Sequence, residues 1–184
     1  MHSKTAAIGA ALLLAGALAI PAAAREPQLI DQSGRTFTLT GLRGTPLVVT
    51  FVAARCKDAC PLIDAETAAA VERARAQHVR VRFVTISLDP EHDSHATMRS
   101  LARTFGATEP RWIVATGRVE DVHAVMRAFD VFTQPGSRGV AEAHTTFVYL
   151  VDARGRVRKT LLASTDLPRQ ELAALSSIWP ELIQ

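Results

Sequence analysis

After residue 28 the chain alternates between short, almost wholly apolar runs and longer segments in which apolar positions recur every three or four residues. Short apolar runs bounded by Gly, Pro or Asp are typical of strands buried on both faces of a sheet. The longer periodic segments are typical of helices packed against such a sheet. The predicted strands are 46–52, 79–88, 112–115, 145–151 and 156–162, and the predicted helices are 62–77, 96–105, 119–129 and 168–178.

The order of these elements predicts one α/β domain. The segment 29–39 carries the turn residues Asp31-Gln32-Ser33-Gly34 between apolar positions, which predicts an N-terminal β-hairpin. Strand–helix–strand units with right-handed crossovers follow, and a terminal hairpin and helix end the chain. This is the order of a thioredoxin-like fold, with a central mixed sheet flanked by helices. It places the loop after strand 46–52 at the carboxyl end of a central strand, where open α/β sheets carry their sites.

Residues 1–24 have the features of an export signal. Lys4 precedes an apolar run over 5–20, Pro21 ends that run, and three alanines follow up to Ala24. A positive residue, an apolar stretch and small residues at the end predict a signal peptide cleaved after Ala24. The alternative is an uncleaved N-terminal anchor, because about 20 apolar residues can span a bilayer. Either interpretation places the domain 25–184 outside the cytoplasm.

The charges of this domain are close to balanced. Removing residues 1–24, which contain only Lys4, leaves 20 basic and 18 acidic side chains. The arginines are scattered among acidic residues, with no basic run or interleaved aromatics. This distribution argues against a nucleic-acid-binding surface.

The two cysteines, Cys56 and Cys60, are candidates for chemistry rather than for structural cross-linking. A disulfide between them would close a loop of a few residues, which stabilises a fold little on the chain-entropy account. At the start of a helix the two sulfurs lie one turn apart, and the helix N-terminus favours their thiolate form. Redox thioredoxins use C-x-x-C, whereas three residues intervene here and Arg55 precedes the pair. The wider spacing still permits a disulfide, and it also suits a soft metal ion held between two sulfurs.

A metal held by two thiolates needs a third ligand, and imidazole is the usual one. His144 follows a loop over 133–143 that is rich in Gly, Ser and Pro, and it precedes a strand predicted to begin at the same sheet edge as Cys56. No proline lies just before that strand, where a thioredoxin normally has one. His92 and His95 form a weaker candidate pair, for Zn²⁺. The other histidines of the domain, His78 and His123, are interpreted as surface residues.

These residues resemble the Sco/SenC family of copper proteins that act in cytochrome oxidase assembly. The resemblance covers nearly all of 29–175. It rests on Cys56-Lys57-Asp58-Ala59-Cys60-Pro61, on Ser87-Leu88-Asp89-Pro90-Glu91-His92-Asp93 and on His144 upstream of Tyr149-Leu150-Val151-Asp152. One departure from the family stands out. Val52-Ala53-Ala54-Arg55 replaces a Gly-Tyr-Thr-His-like approach to the first cysteine. Ala53 occupies the position where peroxiredoxins carry an activating Thr, which argues against peroxidase activity.

The resemblance implies that Cys56, Cys60 and His144 bind one copper ion per chain, as Cu(I) or Cu(II). It implies a periplasmic metallochaperone that delivers copper to the copper-accepting subunit of cytochrome c oxidase, with another copper chaperone or a thioredoxin-like reductase as further partners. Asp89 matches an acidic residue near the family's site and is not expected to be a ligand. Two alternatives stay open. One is an enzyme, a thiol-disulfide reductase in which Cys56 and Cys60 are catalytic, and the other is a redox or copper sensor.

Overall fold

The computed structural model describes residues 25–56, 59–135, 141–143 and 147–162. The predicted signal peptide, His144 and the predicted helix 168–178 lie outside the described residues. The strands are β1 Leu29–Ile30, β2 Thr36–Phe37, β3 Leu47–Val52, β4 Arg82–Ser87, β5 Trp112–Gly117, β6 Thr133–Pro135, β7 Ala141–Ala143, β8 Phe147–Val151 and β9 Val157–Leu162. The helices are α1 Ala59–Ala76, α2 His95–Phe105 and α3 Val119–Ala128, and a 3-10 turn covers Thr40–Leu42.

Seven strands form a mixed sheet in the order β2-β1-β5-β4-β3-β8-β9. The central strands β3, β4 and β5 are parallel, and the outer pairs are antiparallel. The carboxyl ends of the three parallel strands therefore lie at one edge of the sheet, and the start of β8 lies at the same edge because Val148 pairs with Thr50. The predicted mixed sheet and N-terminal hairpin are confirmed.

Helices cover both faces of the sheet because alternate residues of each buried strand point to opposite sides. Val48, Phe83 and Trp112 face α1 and α2 in one core. Val49 and Ile86 belong to a second core that includes α3. The near-continuous apolar runs in the sequence arise from this burial on both faces.

The predicted loop over 133–143 contains a short hairpin, since β6 pairs with β7 from Thr133 opposite Ala143 to Pro135 opposite Ala141. Helix α1 also begins earlier than predicted, at Ala59 instead of residue 62. Cys60 is therefore inside the helix and not before it, and Pro61 occupies its first turn, where a missing backbone N–H costs nothing.

The beginning of the described chain is fixed at the edge that carries the carboxyl ends of the parallel strands. The guanidinium Nη2 of Arg25 lies 2.8 Å from each carboxylate oxygen of Asp121, in the first turn of α3. β1 then runs back along the sheet, with Leu29 paired to Gly117 at the end of β5.

Candidate dithiol site

The two cysteines lie in the turn between β3 and α1. The backbone N–H of Cys56 donates a hydrogen bond of 3.0 Å to the carbonyl of Ala53, which closes a tight turn directly after β3. Cys60 follows in the first turn of α1. The structure thus places both sulfurs at the carboxyl end of a central strand, as the sequence predicts.

Both thiols are free, but their surroundings differ. Cys56 is partly exposed, whereas Cys60 is buried with 4% of its surface accessible. Burial raises the pKa of the Cys60 thiol far above its usual range, and a hydrogen bond to Cys56 acts in the same direction. Cys56 is therefore the sulfur that solvent or a partner reaches first, and Cys60 lies behind it as a protonated thiol.

One turn further along α1, Asp64 introduces a carboxyl group into the interior. It is 2% exposed, and its Oδ1 has no hydrogen-bond partner among the described residues. Burial raises the pKa of Asp64 to about 7. The negative charge of Asp64 in turn contributes to the raised pKa of Cys60. Asp64 is not among the site residues predicted above, although an acidic side chain four positions after a helical cysteine is a signal for a shared helix face.

Asp93 holds the turn that carries Cys56 against the end of β4. Its Oδ2 accepts hydrogen bonds from the backbone N–H of Ala54 at 3.2 Å and from the hydroxyl of Ser87 at 2.8 Å. Ser94, and not Asp93, caps α2, since the Oγ of Ser94 accepts from the backbone N–H of Thr97. Asp93 is thereby free to position the dithiol loop.

The carboxylate of Asp89 holds the guanidinium of Arg55, which is next to Cys56 in the chain. Asp89 is buried, and its Oδ2 lies 3.3 Å from Nη2 of Arg55. Its other oxygen, Oδ1, is 2.7 Å from Nδ1 of His92. Arg55 keeps 44% of its side chain exposed, so its remaining N–H groups can reach a partner.

The structure brings Cys56 and Cys60 together, and His144 lies outside the described residues. Within the described segments, no three His, Cys, Asp or Glu side chains are grouped so as to hold a metal ion. Of the two weaker candidates, His92 is hydrogen-bonded to Asp89, whereas Nε2 of His95 is buried without a partner among the described residues. Two free, adjacent sulfurs are nevertheless the donor set that a soft ion such as Cu(I) prefers.

None of the helices in the described part of the chain is both long and apolar enough to span a bilayer.

Comparison with known families identifies one match that extends over most of the chain. The family model described as SCO1/SenC matches residues 21–179. An SCO2-like protein of Rickettsia prowazekii (strain Madrid E) is 28% identical over 137 residues, which cover 72% of this chain. The chain spans 65% of that relative's length.

Solved structures agree with this match. Arabidopsis thaliana ScoI with copper bound is 25% identical, covers 82% of this chain and 94% of its own, and superimposes with a TM-score of 0.72. BsSco, a member of the Sco family of cytochrome c oxidase assembly proteins in which a disulfide switch was identified, has a TM-score of 0.70 at 22% identity. It covers 82% of this chain and 89% of its own, and at that identity it supports the fold alone.

Proposed function

The chain belongs to the SCO1/SenC family, and from that premise we propose that it is a copper-binding metallochaperone. One copper ion, as cargo, is held by Cys56, Cys60 and His144 and is passed to the copper-accepting subunit of a cytochrome c oxidase during assembly. Another copper chaperone or a thioredoxin-like reductase serves as a further partner.

The observation that carries this proposal is the pair of adjacent free thiols at the carboxyl end of β3. The two sulfurs differ in solvent exposure, which suits a site that takes up and releases a copper ion. Copper can approach through the partly exposed Cys56, and binding to both sulfurs displaces the thiol proton of Cys60. Copper-bound Arabidopsis thaliana ScoI, at 25% identity, supports copper as the ion.

Chain connectivity supports His144 as the third ligand. It precedes Phe147 by three residues, and Phe147 begins β8 at the sheet edge where β3 ends. Three residues span at most about 10 Å, so the sequence position of His144 is consistent with a ligand role at this edge. Imidazole completes a sulfur-rich site that accepts both Cu(I) and Cu(II).

A thiol-disulfide reductase is the second candidate, and the unequal burial of the thiols favours it. In that reaction the Cys56 thiolate attacks a partner disulfide and forms a mixed disulfide, and one partner thiolate leaves. Cys60 then loses its thiol proton to solvent and attacks the sulfur of Cys56, which releases the second partner thiolate and leaves the Cys56–Cys60 disulfide. This enzyme needs no imidazole, so His144 separates the two functions.

We propose the periplasm as the location, with residues 1–24 acting as a cleaved signal peptide or as an anchor at the outer face of the inner membrane. The support is the leader-like sequence described above. N-terminal sequencing of the exported protein distinguishes a cleaved leader from a retained one.

The deciding experiment is an anaerobic copper titration of the reduced protein and of the variants Cys56→Ser and His144→Ala. We expect saturation near one copper per chain. In the Cu(II) form we expect a thiolate charge-transfer band that Cys56→Ser and His144→Ala both lose. Because imidazole must be neutral to bind, copper affinity should fall below about pH 6.

His78→Ala, in which an exposed histidine is removed, is the matched control and should bind copper normally. Copper binding that is unchanged in His144→Ala, together with disulfide exchange that needs both cysteines, would contradict the copper-ligand proposal and support the reductase. A rescue assay for oxidase assembly in cells then tests delivery, with His144→Ala expected to fail.

A further inference from the structure

A hollow with a strongly basic lining lies at the edge of the sheet opposite the dithiol. Its volume is about 530 Å³, and it opens where β3, β4 and β5 begin. Five basic side chains line it: Arg75, His78, Arg80, Arg82 and Arg111. They come from the end of α1, from the approach to β4 and from the approach to β5, so three separate elements converge on one space.

The charges of the four arginines have little compensation. Among the described residues, Arg80, Arg82 and Arg111 take part in no ion pair, and Glu72 approaches Arg75 only to 3.7 Å. Glu109, two residues before Arg111, is paired with Arg35 instead. The hollow is therefore a local concentration of positive charge in a domain whose total charge is almost balanced.

Fold stability accounts for only part of this lining. Arg75 is in the last turn of α1, where a cation interacts favourably with the helix dipole. Arg80, Arg82 and Arg111 lie outside any helix. Arg82 and Arg111 are half-buried, so their stems cover apolar surface, but a neutral side chain would do that equally well. Fold stability therefore does not account for why the charges of these arginines converge on one space.

We propose that this basic hollow binds a phosphate-bearing anion. Guanidinium groups hold phosphate oxygens through paired, charge-assisted hydrogen bonds, and several of them facing one concave space suit a compact anion with more than one negative charge. The concave shape favours such a ligand over the flat acidic face of a protein. The phosphate can come from a soluble phosphorylated molecule or from the headgroup of an anionic lipid.

The hollow and the dithiol are far apart. The parallel strands between them are six residues long, which corresponds to about 20 Å. Phosphate in the hollow therefore leaves Cys56 accessible, and this site stands independently of the copper proposal.

The test is calorimetric titration of the reduced full-length chain with pyrophosphate. We expect one pyrophosphate per chain, with an affinity that falls as salt is added. Arg82→Gln/Arg111→Gln should bind at least about tenfold more weakly, since each lost charge-assisted hydrogen bond is worth that order. Arg99→Gln/Arg127→Gln, which removes two exposed arginines from α2 and α3, is the charge-matched control and should bind normally.

Vesicles distinguish the two sources of phosphate. Greater retention on phosphatidylglycerol than on phosphatidylcholine vesicles, lost in Arg82→Gln/Arg111→Gln and reversed by pyrophosphate, supports a lipid headgroup. Pyrophosphate binding without such retention supports a soluble ligand. Arg80→Gln, an exposed single change, repeats the test if the double variant does not fold.

Three results would overturn the proposal. One is the absence of saturable pyrophosphate binding, and another is equal weakening in the control variant. The third is competition by polyglutamate as strong as that by pyrophosphate, which would indicate an acidic protein surface.

Discussion

At the scale of single residues, Asp64 places a carboxyl group in the interior, close to Cys60. Its Oδ1 has no hydrogen-bond partner among the described residues. A buried carboxylate is costly to the fold, and its protonation relieves that cost. The direction of the pH dependence follows from the shifted pKa of Asp64. The folded-state pKa of Asp64 is about 7, against 3.8 when it is unperturbed, so the folded protein binds the proton more tightly. Asp64 therefore weakens the fold as pH rises from about 4 to about 7.

Asp64→Asn removes this titration while keeping the shape of the side chain. We expect its free energy of unfolding, relative to the natural protein, to rise by on the order of 3 kcal/mol between pH 4 and pH 8. Urea unfolding of the reduced protein at both pH values measures the difference. Glu72→Gln, an exposed carboxyl on the same helix, should show no such change. A pH-independent difference for Asp64→Asn would mean that Asp64 is not a buried titrating group.

At the scale of elements, a buried polar chain joins the three parallel strands. The indole Nε1–H of Trp112 in β5 donates to Oγ1 of Thr85 in β4 at 3.0 Å. That hydroxyl lies 2.9 Å from Oγ1 of Thr50 in β3. Each strand thus contributes one polar group, and Thr85 satisfies both neighbours.

Thr85→Val is nearly isosteric and leaves the indole N–H and the Thr50 hydroxyl without their partner. We expect a loss of roughly 1–3 kcal/mol in the free energy of unfolding, the usual cost of an unsatisfied buried polar group. Thermal or urea unfolding measures it. Thr160→Val, on the exposed face of β9, is the control and should change stability little. Equal effects of the two substitutions would show that the chain of hydroxyls contributes nothing.

Within the described residues, the sequence was sufficient to predict the strands of the main sheet, the three helices and their order, because apolar runs and helical periodicity reflect burial directly. The sequence did not predict features that depend on how segments of the chain pack together. The hairpin of β6 and β7 lies in a segment rich in Gly, Ser and Pro, which has no alternating pattern. The pair Cys56 and Cys60 was predictable from spacing, whereas the bonds of Asp89 and Asp93 to the dithiol loop join elements more than 30 residues apart.

At the scale of the whole molecule, carboxyl groups at different places act on stability in opposite directions. Burial alone would raise the pKa of Asp31, but hydrogen bonds from Ser33 and Arg35 outweigh it and leave that pKa lowered. Asp152 has a lowered pKa for the same reason, with Arg156 and Arg154 as donors. These groups favour the folded state above about pH 4, whereas Asp64 disfavours it increasingly as pH rises from about 4 to about 7.

We therefore expect stability to be greatest near pH 4, to fall between about pH 4 and pH 7, and to level off above pH 7. Asp31→Asn/Asp152→Asn should flatten the decline below pH 4 and leave the decline between pH 4 and pH 7 in place. Urea midpoints from pH 3 to pH 8 measure both limbs of the profile. A profile that rises steadily to pH 8 would contradict this account.

The ion pair of Arg25 with Asp121 has a consequence for how the protein meets its partners. It fixes the start of the domain at the edge that carries Cys56, so any segment attached ahead of Arg25 leaves the domain on that side. If that segment stays in a membrane and the basic hollow takes a soluble phosphate instead of a lipid headgroup, the tether turns the dithiol towards the lipid surface. An acceptor embedded in the same membrane then meets the dithiol at an effective concentration set by the tether, far above that of a freely diffusing protein. Under the proposed function, transfer of copper to that acceptor would become nearly intramolecular. Even a weak contact between the two proteins would then be enough for the transfer.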